Sequence, residues 1–168
     1  MRVAVTGTPG TGKTTAVTLA ETPLSTIHLN SVVREQGLTT GHDEQRDSAI
    51  ADIEAVVSHL DGRDDILVES HLAHHVPADR VIVLRCHPAT LERRLEARGE
   101  PASTAAENAE SEALDLVLSA AVERHGSERV YEVDTTDREP SAVAADIEAV
   151  VAGERDPTAG TVSFLEYL

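Results

Sequence analysis

Hydrophobic positions fall into two patterns that alternate along the chain. Short β-branched runs bounded by turn residues occur at Arg2–Thr6 (RVAVT), residues 25–29, Ile66–Glu69, Arg80–Arg85 (RVIVLR) and residues 130–133, and these read as strands. The unbroken apolar run within Arg80–Arg85 is typical of a strand covered on both faces. Stretches with helical spacing lie between and after them. Residues 14–21 form one, stopped by Pro23, and residues 47–60 carry Ile50, Ile53, Val57 and Leu60 at the right intervals. Residues 91–98 form another, ended by Gly99 and Pro101. Residues 110–124 present Leu114, Val117, Leu118 and Ala121 on one face, and residues 141–151 present Val143, Ile147, Val150 and Val151. Strands that alternate with helices imply an α/β fold with a five-stranded parallel sheet and helices on both faces. Residues 100–108, small and polar, read as a mobile loop. With no repeat and no linker, residues 1–168 read as one domain. The tail, residues 153–168, is loop-like around Pro157 and Gly160, yet it carries Phe164 and Tyr167. It reads either as a segment that docks its aromatics on the domain or as one that presents them to a partner.

Composition sharpens this picture. Tyr131, Phe164 and Tyr167 are all the aromatics there are, so the core has to be built from Val, Leu, Ile and Ala. Thirty acidic against 14 basic residues give a net charge of −16, which repels polyphosphate backbones at long range and disfavours a nucleic-acid binder. No apolar run is long enough for a transmembrane span, and the stretch after Arg2 runs into glycines rather than forming a signal peptide. The lone Cys86 cannot form an internal disulfide, so a reduced, cytoplasmic protein is expected. All basic residues but one are arginine; the exception is Lys13. An acidic surface nearly free of lysine suits concentrated salt, where a Debye length of about 3 Å at molar ionic strength screens self-repulsion; an ordinary acidic protein is the alternative.

That lysine sits in the segment that carries chemistry. Residues 7–14 read GTPGTGKT, a full match to G-x-x-x-x-G-K-[S/T]. Glycines at this spacing let backbone N–H groups converge on phosphate oxygens, and the helix that follows aims its positive end at the same anion. Gly10, Gly12, Lys13, Thr14 and Thr15 are therefore candidate nucleotide ligands. Lys13 would reach the β- and γ-phosphates and the Thr14 hydroxyl would complete a Mg²⁺ shell. The Asn-Lys-x-Asp guanine motif needs a second lysine, which closes the GTPase subclass and leaves an adenine-type nucleotide kinase or an ATPase. Glu69, at the end of the Ile66–Glu69 run, is placed to hold Mg²⁺ directly or through water, or else simply caps the strand. His71 reads as an active-site residue beside the phosphates, whereas His74 and His75 read as loop surface.

Four segments together resemble the adenylate kinase isoenzyme 6 type family: GTPGTGKTT, VESHLAHHVP (68–77), VLRCHPATLERRLEARG (83–99) and ENAESEALD (107–115). The resemblance covers roughly residues 2–151. It implies a P-loop nucleoside monophosphate kinase fold with a monophosphate-binding segment near 29–52 and a small lid near 98–108. It also implies transfer of the ATP γ-phosphate to AMP, an accompanying ATPase activity, and a role in small-subunit ribosome maturation through contact with a platform ribosomal protein. On this reading Asn30 and Arg34 serve the monophosphate and Gly99 joins the nucleotide ligands. The lid GEPASTAAEN contains no Lys or Arg. Arg94 and Arg98, one helical turn apart, would then have to neutralise the moving phosphoryl group. A small-metabolite kinase on the same fold is the further alternative.

Overall fold

The computed structural model describes Met1–Leu168. Five parallel strands, β1 (Arg2–Thr6), β2 (Ser25–His28), β5 (Ile66–Glu69), β6 (Arg80–Arg85) and β7 (Val130–Asp134), form one sheet in the order β2-β5-β1-β6-β7. The expected strands thus appear to within a residue at each end. Alternate side chains of each strand feed opposite faces. On one face Val3, Val5, Ile82 and Leu84 pack against Ala16 and Val17 of α1 (Lys13–Leu19) and Val143, Ile147 and Val150 of α7 (Pro140–Ala152). On the other, Ala4, Val68, Val81 and Val83 meet Leu29 of α2 (Leu29–Gln36), Val56 of α3 (Ile53–His59), and Leu118 and Ala121 of α6 (Leu116–His125). A smaller cluster of Cys86, Leu91, Leu95 and Ala105 joins the end of β6 to α4 (Pro88–Ala97) and α5 (Ala102–Ala113). No helix is long and apolar enough to cross a membrane.

Three local expectations are corrected. Residues 100–108 are not a loop: α5 begins at Ala102. Alanine is the strongest helix former, and Ala105 and Ala109, both fully buried, let α5 lie close against its neighbours. Residues 47–60 are not one helix. Ser48–Ala51 is β4, paired antiparallel with β3 (Thr39–Asp43), and the helix starts only after Asp52, whose carboxylate accepts from the Ala55 N–H as an N-cap. The Asp43 carboxylate accepts from the N–H groups of Gln45 and Arg46 and so favours the turn that leads β3 back into β4; Ile50 ends up exposed on the hairpin. The stretch 110–124 is broken at Asp115, which adopts φ 56°, so Leu114 turns outward instead of joining the buried face.

The break at Asp115 has a cause. Arg85, at the end of β6 and 1% exposed, donates from Nε to Glu112 Oε1 (2.8 Å), from Nη1 to Glu132 Oε1 (2.5 Å) and from Nη2 to the Asp115 carboxylate. The tail closes over this group. Glu132 Oε2 accepts from the N–H groups of Thr161 (2.7 Å) and Val162 (3.3 Å), and the Phe164 ring covers the guanidinium with 5.4 Å between them. Phe164 is buried and Tyr167 donates to Glu92 Oε2 (3.0 Å). The tail therefore docks its aromatics on the body. A partner-facing patch built on Phe164 is ruled out, because that ring is already covered.

Truncating a buried phenylalanine costs about 3–5 kcal/mol. Phe164→Ala is accordingly expected to lower the unfolding free energy by that amount in urea titration; a loss indistinguishable from zero would mean that the tail is only loosely attached.

Candidate active site

The C-terminal ends of β1, β5 and β6 lie side by side, and the segments leaving them build the site. Open α/β sheets bind ligands at this edge. Residues 7–12 leave β1 as a tight loop that two glycines make possible. At Gly7 (φ 147°) a Cβ would lie 2.5 Å from the Leu84 carbonyl oxygen of β6, and at Gly10 (φ 91°) it would lie 2.9 Å from Leu91 and Leu95 of α4. A side chain at either place would push the loop off its neighbours.

Lys13 begins α1 and is folded back, its Nζ donating to the carbonyls of Gly7 (2.9 Å) and Thr8 (3.1 Å). Burial pushes its ammonium down to about 8, and the Glu69 carboxylate partly opposes that shift. Thr14 Oγ1 donates to Glu69 Oε1 (3.3 Å), and Glu69 Oε2 lies 2.8 Å from His28 Nδ1. Glu69 and His28 end adjacent paired strands in register. His71 is held below its ordinary value, first by burial and then by the nearby Lys13 charge. Asn30 Oδ1 accepts from Ser70 Oγ (2.7 Å), which fixes the amide at the start of α2.

Two adjoining clefts open on the loop. One, of about 240 Å³, brings together Lys13, Thr14, Thr15, Glu69, His71, Asn30 and Arg98. The other, of about 480 Å³, runs beside it between α4 and the segment after β7, lined by Arg94, Arg98, Thr135, Arg138, Pro140 and Val143 as well as Gly10, Gly12 and Thr15. Most of the residues singled out in the sequence thus converge. Arg94 is pinned to Thr135, donating from Nη2 to its carbonyl (3.0 Å) and from Nη1 to its hydroxyl (3.3 Å), so its guanidinium lies on the larger cleft. Arg34 is exposed on α2, and neither cleft includes it or Gly99.

The expectation for His74 is corrected. It is buried, its Nδ1 lies 2.9 Å from Thr6 Oγ1, and its carbonyl oxygen is 2.7 Å from His125 Nε2, so it props the β1 end from below. Residues not anticipated from the sequence are His28, Thr135, Arg138 and Glu112, whose Oε2 accepts from the Thr8 hydroxyl at 2.6 Å. The position of the TTDRE segment after the last strand could have pointed to Thr135 and Arg138; nothing in the sequence marks Glu112 as a loop contact.

The donor set suits Mg²⁺. No group of three or more His, Cys, Asp or Glu side chains converges on a metal. Thr14 and Glu69 instead offer one hydroxyl and one carboxylate beside the phosphate loop, and Mg²⁺ is usually held by one or two carboxylates together with substrate phosphates.

A parallel sheet of this order with a glycine loop and buried lysine leaving its first strand defines the P-loop kinase fold. Shikimate kinase from Bacteroides thetaiotaomicron superposes on it with a TM-score of 0.59 at 15% identity, over 90% of this chain and 98% of that one. The family described as AAA domain matches residues 3–115. Over the full length of both chains the protein is 66% identical to a "Putative adenylate kinase" of Natronomonas pharaonis and 57% identical to one of Halobacterium salinarum. The chain belongs to this adenylate kinase-like family.

Because the free lysine holds its proton only below pH about 8 and bound phosphates favour the charged form, ATP affinity should be flat up to pH about 8. Above it the affinity should fall, by at most about tenfold per pH unit for one linked proton. Calorimetric titration from pH 7 to 9.5 measures this; in Lys13→Met, ATP binding should be weak throughout and lack that slope.

Proposed function

We propose that the protein is a nucleoside monophosphate kinase that transfers the γ-phosphate of ATP to AMP, giving two ADP. The observation that carries this reading is the convergence of Lys13, Thr14, Glu69, Asn30 and Arg98 on one cleft that opens directly from the phosphate loop. The neighbouring cleft between α4 and the segment after β7 has the size and the partly apolar walls for an adenine base, with Arg94 and Arg138 at its edge. Lys13 exchanges the Gly7 and Thr8 carbonyls for the β/γ-phosphates. Arg98, shared by both clefts, stands over the transferred group. Asn30 faces the acceptor, whereas Arg34, further along α2, is exposed and lines neither cleft. Thr14 and Glu69 would hold Mg²⁺, which when bound neutralises charge on the phosphates. The AMP phosphate is already an anionic nucleophile, so no general base is required.

A second reading, an ATPase that acts as an assembly factor on the small ribosomal subunit, draws on His71. Uncharged at neutral pH and set in the same cleft as Lys13 and Glu69, it is suited to orient an attacking water. The acidic body favours a basic ribosomal protein of the platform as partner, at short range when salt is high.

The deciding measurement is ADP and free phosphate formed from ATP with and without AMP, at high salt. AMP-dependent ADP without matching phosphate supports the kinase; phosphate release indifferent to AMP overturns it in favour of the ATPase. Glu69→Gln should raise the Mg²⁺ concentration for half-maximal turnover by at least about 10-fold, the low end even for a residue that only supports the ligands of a metal. An unchanged Mg²⁺ titration would reduce Glu69 to a strand cap.

A further inference from the structure

A single side-chain hydrogen bond, Thr8–Glu112, joins the phosphate loop to α5, and the proposed phosphoryl transfer makes no use of it. Thr8 and Glu112 are both 2% exposed, and the 2.6 Å distance from Thr8 Oγ1 to Glu112 Oε2 is that of a hydroxyl donating to a carboxylate. Glu112 is itself held from both sides. Its Oε1 accepts from Arg85 Nε (2.8 Å) and from the Cys86 N–H (3.0 Å), so the carboxylate is fixed to the end of β6 on one side and to the loop on the other. On the loop side, the Thr8 carbonyl accepts from Lys13 Nζ (3.1 Å), from Thr11 Oγ1 (2.9 Å) and from the Thr11 N–H (3.3 Å). One residue thus carries both the anchor to Glu112 and the carbonyl on which the lysine rests.

A loop whose amides must all face one anion loses affinity when it has to be ordered at the moment of binding. A glycine-rich segment is the most expensive kind to order. We propose that Glu112, oriented by Arg85, is a positioning residue for triphosphate binding: through the Thr8 hydroxyl it holds the loop and the resting place of Lys13 in the conformation that receives the β/γ-phosphates. The proposal rests on reading residues 7–14 as the triphosphate cradle. It adds a residue from α5, more than 90 positions away in sequence, to that site.

The test separates this role from general stability. Glu112→Gln places an amide where Arg85 donates and endangers the fold, so the informative variant is Thr8→Val, which replaces the hydroxyl by a methyl group of similar size and removes no atom of the Arg85–Glu112 pair. Dissociation constants for Mg·ATP and for AMP, measured by calorimetry, are compared with the urea midpoint for the unmodified chain, Thr8→Val and Thr8→Ser. The expected result is an ATP dissociation constant raised at least about tenfold in Thr8→Val, the low end for a hydrogen bond to a charged group. AMP affinity should stay unchanged, and Thr8→Ser, which keeps the hydroxyl, should recover ATP binding. Unchanged ATP affinity in Thr8→Val overturns the proposal. Equal losses for ATP and AMP that track the urea midpoint overturn it too, since a merely structural bond would do that, as does failure of Thr8→Ser to recover. If the unmodified chain binds ATP but forms no ADP from ATP and AMP, the kinase reading fails while this comparison still decides the role of Glu112.

Discussion

One guanidinium holds five parts of this molecule together. Arg85 ends the central-side strand β6, and its donors reach Glu112 on α5, Asp115 at the α5–α6 junction, Glu132 on β7 and the Val162 carbonyl of the tail. Moving an arginine out of water costs several kcal/mol, and that is recovered only if good geometry satisfies nearly all of its N–H groups. Here every nitrogen has a partner, and the partners are themselves shared: Glu132 also binds the tail backbone, Glu112 also binds Cys86 and Thr8. Each member therefore fixes the next. The kink at Asp115, the packing of the tail and the placement of α5 all follow from bringing these carboxylates to one cation.

Three carboxylates around one arginine leave a negative excess inside the fold, and Lys13 lies close enough to feel the Glu112 charge as well as that of Glu69. The lysine is thus held between opposing effects. Burial works against its charge, the two carboxylates work for it, and the Gly7 and Thr8 carbonyls supply hydrogen bonds until an anion replaces them. An incoming triphosphate competes with carbonyl oxygens rather than with bulk water, and the ammonium it meets is already desolvated. Charge–charge attraction in such a setting is stronger than at an exposed lysine. On the proposed reading, this setting is what would let a chain with one lysine bind a polyanion.

Most of the sheet was legible in the sequence because its inner strands are covered on both faces and therefore read as apolar runs, Arg80–Arg85 most clearly, whereas the strand order is seen only in the fold. The glycine loop was legible because its chemistry constrains local sequence. Where side-chain periodicity carried the prediction, it failed for physical reasons. Ile50 and Ile53 have helical spacing, but the turn made by Asp43 puts the first on a hairpin and the second in a helix. Residues 100–108 look like a loop by polarity, yet the alanines that close α5 against its neighbours are neutral to that criterion. The buried ionic cluster was invisible, since Arg85, Glu112 and Glu132 read as surface charges until the fold brings them within reach of one another. His28 was missed for a related reason: only strand register shows that it ends opposite Glu69.

The same distinction between local and assembled information bears on how the site handles charge. Residues 99–113 carry no lysine or arginine, so α5 contributes alanines to packing and Glu112 to the loop, but no cation to the clefts. The cations that line the clefts come instead from Lys13 under the loop, Arg94 in α4, Arg98 at its C-terminal end and Arg138 after β7. On a chain of net charge −16 these form a local positive cleft in an acidic surface. At low ionic strength the surrounding acids would repel a nucleotide before it arrived. With a Debye length of about 3 Å at molar salt, that repulsion vanishes beyond contact distance, and so does any long-range pull of the cleft. Recognition then depends on contact geometry alone, which is what fixed groups provide: Arg94 clamped on Thr135, Glu69 held by Thr14 and His28, and the loop tied through Thr8. A site of this kind trades reach for rigidity, and on the loop side the buried arginine contributes to it through Glu112.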